Sequence, residues 1–120
     1  MSEAKENKPV PKVNPELQQQ YNTFKSTIAQ LSSKIGELEG EAEEHRLVLE
    51  SLRPMDKDRK CFRMIGGALV EKTVGEVIPM LETNESGLRS VLETLAKDYQ
   101  KTNEELAKWQ KKNKVQIVQT

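Results

Sequence analysis

From Leu17 onward, apolar side chains recur with a fixed rhythm. Leu17, Tyr21, Phe24, Ile28, Leu31, Ile35, Leu38, Ala42, His45, Leu49 and Leu52 follow one another in alternating gaps of four and three. That spacing is the a/d seam of a heptad helix. Asn14 before Pro15 supplies a cap and a first-turn proline at its start. Pro54 disfavours helix at Arg53 and ends it, so the spacing predicts a helix over 15–53. Gly36 and Gly40 fall on its outer face and leave the seam intact. A second seam follows in Ile78, Leu81, Glu85, Leu88, Leu92, Leu95, Tyr99, Thr102, Leu106 and Trp109, with Glu85 and Thr102 as polar defects. Thr73-Val74-Gly75-Glu76 has the form of a capping box. Pro79 would crowd the carbonyl of Gly75, so the expectation is an irregular or kinked first turn and then a long helix over 79–118.

The middle of the chain has a different period. Two short apolar-rich runs, Lys60 to Ile65 and Ala68 to Lys72, flank Gly66-Gly67. Both glycines take positive φ freely, which predicts a β-hairpin over 60–72 with Met64 opposite Leu69 and Arg63 opposite Val70. An isolated two-stranded hairpin is marginal in water, and its unpaired edges need covering. Cys61, Phe62, Arg63, Met64, Ile65, Leu69 and Val70 are therefore the candidate assembly residues. Residues 1–14, rich in Lys, Glu and Asn and holding Pro9 and Pro11, read as a disordered tail. The remainder, 15–118, reads as one domain. Its fold class is mostly α: an antiparallel two-helix coiled coil, or helical hairpin, joined by a single β-hairpin. Each helix would be roughly 60 Å long.

Two registers fit the turn. If facing residue numbers sum to about 130, Leu49 meets Leu81, Leu38 meets Leu92, Ile35 meets Leu95 and Tyr21 meets Trp109. His45 and Glu85 then share a layer and are the register residues. At a sum of about 137, each would face a leucine, and a half-buried polar group without a partner costs ~1–3 kcal/mol. The first register is preferred on that ground.

Composition narrows the function classes. Of 120 residues, 35% are hydrophobic and 4% aromatic, below the ~45–50% apolar share of compact domains, as suits an elongated body with a narrow seam. No apolar run is long enough to span a membrane, and the first dozen residues lack the apolar core of a secretory leader. Nineteen basic and nineteen acidic side chains cancel, which removes bulk charge as a reason to bind nucleic acid or membrane. The clusters Lys57, Arg59, Lys60 and Lys108, Lys111, Lys112, Lys114 are interspersed with acids and read as solvated faces. The single cysteine, Cys61, excludes an internal disulfide and suits a reducing compartment.

Little material for catalysis exists. His45 has no second His or Cys one turn away and reads as a packing residue. Cys61 has no neighbouring base and reads as a small hydrophobe. No cofactor, metal or enzymatic activity is expected. The free end of the coiled coil is less ordinary. Leu17, Tyr21 and Phe24 lie opposite Leu106 and Trp109, with Val115, Ile117 and Val118 beyond. These side chains either close the coiled coil on itself or form an exposed apolar patch for a partner.

At the hairpin the residues become recognisable. The string Arg59-Lys60-Cys61-Phe62-Arg63-Met64-Ile65-Gly66-Gly67-Ala68-Leu69-Val70-Glu71-Lys72-Thr73-Val74, followed by Glu76-Val77-Ile78-Pro79 and Leu81-Glu82, resembles the β-type subunits of the prefoldin family. The likeness extends along both helices from about residue 15 to 118. It implies a subunit of a hexameric, ATP-independent co-chaperone, with two α-type and four β-type subunits. The hairpin would enter an intersubunit β-barrel, from which six coiled coils hang. The distal tips, here Leu17, Tyr21, Phe24, Leu106, Trp109, Val115 and Ile117, would capture non-native actin and tubulin for the cytosolic group II chaperonin. The implied location is the cytoplasm, with a nuclear pool allowed. The competing expectation is a coiled-coil scaffold or tether that holds no client.

Overall fold

The structure is a computed structural model, and it describes residues 13–117. The tail expected over 1–14 lies outside them save for its last two residues, as does Val118. Two long helices flank a two-stranded antiparallel sheet in the order α1 (Pro15–Leu52), β1 (Lys60–Ile65), β2 (Ala68–Thr73) and α2 (Val74–Lys112). The body measures 85 × 32 × 24 Å. Rods of this shape follow from seams only two positions wide in each heptad, which can bury one stripe and no more.

Helix α1 starts where its cap chemistry requires. Asn14 Oδ1 accepts the Leu17 N–H at 3.2 Å, and Pro15 occupies the first turn, where no intrahelical donor is needed. Its eleven seam positions, Leu17 through Leu52, are buried or half-buried, and every other residue of the helix is exposed. Helix α2 departs from expectation. It begins at Val74 and runs through Pro79 without a break, ending at Lys112. Its first donors are all met: Thr73 Oγ1 accepts the Glu76 N–H at 3.3 Å, and the Arg59 and Lys57 carbonyls accept the Val74 and Gly75 N–H groups at 2.9 Å each. With three donors satisfied from outside the helix, Pro79 costs a single hydrogen bond, to the Gly75 carbonyl, and its ring sits on the exposed side. Gly75 lets this loop approach closely, because a Cβ there would lie 3.3 Å from both Cβ and O of Lys57.

The core sits at the joint between the coiled coil and the hairpin. Leu49 is fully buried against Val77 and Leu81, with Leu52, Cys61 and Ile78 packed around them. Leu38, Ala42 and Val74 complete the buried set among the described residues. Toward the free end the seam side chains are only half-buried. On α2, Tyr99 leaves the expected seam and keeps 37% of its surface in water, as an amphipathic ring at a two-helix interface can. Val74, Val77 and Met80 join instead, because α1, the 53–59 loop and the hairpin all cover the first turns of α2.

The helices meet at the register whose residue numbers sum to about 130. Tyr21 stacks on Trp109 at one end, and Leu49 packs on Leu81 at the other. The polar residues behave differently from expectation. His45 Nδ1 lies 2.8 Å from the Glu41 carbonyl, and Glu85 binds Arg89 at 2.7 Å. Each is satisfied along its own helix, one turn away, and no hydrogen bond joins them among the described residues. Next to His45, hydrogen bonds from Arg46 at 2.6 and 2.9 Å hold the Glu43 carboxyl below its ordinary range. The stabilisation from this exposed pair is present above the ordinary Glu pKa and fades as pH falls through the lowered one.

Gly36, Gly40 and Gly87 are helical, and a Cβ on any of them would meet nothing within 4 Å. Each Gly→Ala change should therefore stabilise its helix by about 1 kcal/mol, read as a higher denaturation midpoint. Gly75→Ala, set against Lys57, should give no such gain.

Candidate functional site

Two surfaces remain unsatisfied in this fold, one at each end of the rod. At the hairpin end, Gly66 and Gly67 take φ of 55° and 83°, and the ladder pairs Met64 with Leu69 and Arg63 with Val70. Alternation along the strands then separates the candidate assembly residues onto two faces. Cys61, Arg63 and Val70 turn toward the body of the chain and are half-buried. Cys61 packs on the Leu49 cluster, and Arg63 Nη1 donates to Met80 Sδ at 2.8 Å. Those residues hold the hairpin to its own helices and are not its free face. Ile65 shares their side, but it stands at the turn and stays 49% exposed.

The opposite face carries Phe62, Met64 and Leu69, exposed at 58%, 68% and 65%. Lys60 and Glu71, paired at 3.2 Å, border it. Three large apolar side chains in one plane, beside two unpaired strand edges, make a surface that other strands can extend and cover.

At the other end the helices present an aromatic cluster. The Tyr21 and Trp109 rings stack at 6.3 Å, and Phe24 tilts against Trp109 at 5.8 Å. Trp109 Nε1 donates to Gln20 Oε1 at 2.7 Å, which ties the two helices across the end. Leu17, Tyr21, Phe24, Leu106 and Trp109 are each half-buried. Val115 and Ile117 do not extend the rod. The chain reverses after α2, and both residues fold back to line a cleft of about 330 Å³ with Val13, Leu17, Tyr21 and Trp109. A second hollow of about 420 Å³ lies one step inward, between Phe24 and Thr27 on α1 and Thr102 and Glu105 on α2. The small polar Thr102, bonded to the Asp98 carbonyl at 2.8 Å, leaves that layer underfilled.

The pattern of the sequence brings this cluster together but misses the Gln20 tie and the chain reversal. Gln20 lies off the seam, and Lys114 lacks the glycine that ordinarily marks a helix end. Val74, Val77 and Met80 carried a readable signal: with Leu81 they hold helical spacing from residue 74 onward. Elsewhere the chemistry is sparse. Among the described residues, no group of three or more His, Cys, Asp or Glu side chains is placed to hold a metal, and no helix is long and apolar enough to cross a membrane.

Known proteins share this arrangement. Residues 15–120 match the model of a family described as "Prefoldin subunit". A protein of Schizosaccharomyces pombe, "Probable prefoldin subunit 2", is 47% identical over 102 residues, covering 85% of this chain and 90% of that one. Human prefoldin subunit 2 is 40% identical over 98 residues, covering 82% of this chain but 64% of its own length. The crystal structure of the prefoldin beta subunit from Thermococcus strain KS-1 superposes with a TM-score of 0.67 at 18% identity, covering 82% of this chain and 90% of that one. That likeness is one of fold.

Proposed function

Because this chain belongs to the prefoldin family, we propose that it serves as one arm of an ATP-independent holdase, anchored by its hairpin and binding non-native chains at its free helix ends. Association with other prefoldin subunits follows from membership. The proposal adds a hexamer of two α-type and four β-type subunits, clients of the actin and tubulin class, hand-over to the group II chaperonin, and a cytoplasmic location with a nuclear pool allowed. The observation that carries it is the division of the apolar surface. One patch, Phe62, Met64 and Leu69, is flat, strand-borne and edged for assembly. The other is a cluster of three rings and aliphatic side chains at the far end of a rod 85 Å long. Binding of this kind is hydrophobic and weak at each arm, and strength comes from several arms around one client. No nucleotide is needed for release, since a partner with higher affinity can compete.

A second reading has its own support. The rings at the free end already cover one another, and Gln20 fixes the indole. A scaffold or tether subunit would need no more than that. The two readings part in an aggregation-suppression assay. Assembled complex carrying Tyr21→Ser, Phe24→Ser and Trp109→Ser in this chain is mixed with chemically unfolded actin. The holdase reading expects capture weakened on the order of tenfold by loss of one arm's avidity. Full protection by an intact complex would leave this chain as scaffold.

A further inference from the structure

We propose that the cleft at the free helix ends is a subsite for an extended polypeptide segment with apolar side chains two residues apart, and that Val115-Gln116-Ile117 of this chain lies along one wall of it as a displaceable internal stand-in. The inference deepens the holdase reading and rests on it.

The reversal after α2 is built as a Schellman turn. Val115 N–H donates to the Gln110 carbonyl at 2.8 Å, and Lys114 N–H donates to the Lys111 carbonyl at 3.3 Å. The turn requires a left-handed residue, and Lys114 supplies it with φ of 54°. Glycine ordinarily fills this position, since a side chain is disfavoured there. The turn therefore forms against a penalty. What it gains is apolar cover: Val115, half-buried, and Ile117, 39% exposed, both line the cleft, while the exposed Gln116 between them stays outside it. That alternation is the period of an extended strand. Beyond the turn, no hydrogen bond ties residues 115–117 to α1 among the described residues. A strap held by two side chains and a strained turn is suited to leave when a better-fitting segment arrives. The same contacts describe the ligand: two aliphatic side chains, one polar or small residue between them, lying across Leu17, Tyr21 and Trp109.

Trp109 is the single tryptophan of the chain, so it can be labelled selectively. The assembled complex is prepared with this chain carrying 5-fluorotryptophan, and a short soluble peptide alternating valine or isoleucine with serine is titrated while the fluorine signal is followed. Removing the strap with Val115→Ser and Ile117→Ser should tighten peptide binding about five- to tenfold, the factor by which a mostly closed cleft raises an apparent Kd. Lys114→Gly removes the penalty, holds the strap more firmly and should weaken binding about two- to threefold. Weaker or unchanged binding in the Val115/Ile117 variant would overturn the stand-in, while leaving capture at the tip in place. A fluorine signal that ignores the peptide in every variant would overturn the tip reading itself.

Discussion

Leu49→Ala should unlock the joint of the molecule. Leu49 is fully buried, and its neighbours Val77 and Leu81 belong to the few buried side chains among the described residues. Leucine-to-alanine changes at such sites cost about 2–5 kcal/mol, because lost burial adds to the cavity left behind. Domains of this size are stable by only ~5–15 kcal/mol in total, so one methyl-rich side chain carries a large share. Hydrogen exchange on the assembled complex is the measurement. Amide protection over 38–52 and 74–84 should fall roughly 30-fold to several thousandfold, the kinetic image of that free energy. Leu31→Ala, at a half-buried seam position nearer the free end, should cost distinctly less. Equal losses would mean that the rod is held evenly along its length and that the joint is not its core.

Phe62→Ser, Met64→Ser and Leu69→Ser together should abolish assembly while sparing the helices. These side chains are more than half exposed and belong to no part of the buried cluster, so the chain loses little of its own packing. In a complex they would be covered. Burying a large apolar side chain is worth ~1.5–3 kcal/mol when complete. Covering the exposed parts of three would contribute about 3–5 kcal/mol, or roughly a 100- to 4,000-fold change in association. Native mass spectrometry of reconstituted subunits should show this chain missing from the assembled species, with unchanged helical circular dichroism. Normal incorporation would show that the strand edges alone suffice and that the apolar face is idle.

The two ends of the molecule were legible in the sequence to different degrees. Heptad spacing located every covered position of α1, and Gly66-Gly67 set the ladder register, because both signals are local and periodic. The helix register expected from the polar positions is the one observed, and large side chains fill its ends, Tyr21 with Trp109 and Leu49 with Leu81. His45 and Glu85 share a layer at this register, but they do not satisfy one another, since a carbonyl or a charged neighbour one turn away serves each residue. The start of α2 was missed because Pro79 looks like a barrier in isolation. Only the fold shows that the 53–59 loop supplies acceptors at Lys57 and Arg59. The hairpin's apolar residues looked equivalent in sequence, yet pleating leaves Phe62, Met64 and Leu69 exposed and half-buries Cys61, Arg63 and Val70 against the chain itself. The return of Val115 and Ile117 left no trace, because a left-handed lysine has no sequence signature.

The claim that the free helix ends meet non-native chains is tested most directly by photo-crosslinking. A photoreactive amino acid replaces Gln19, an exposed residue beside the inner hollow, or Glu93, an exposed residue midway along α2. Each assembled complex is loaded with chemically unfolded actin and irradiated. The account predicts strong crosslinks to the client from position 19 and few from position 93. Equal crosslinking from both, or none from position 19 while the complex still suppresses aggregation, would contradict it.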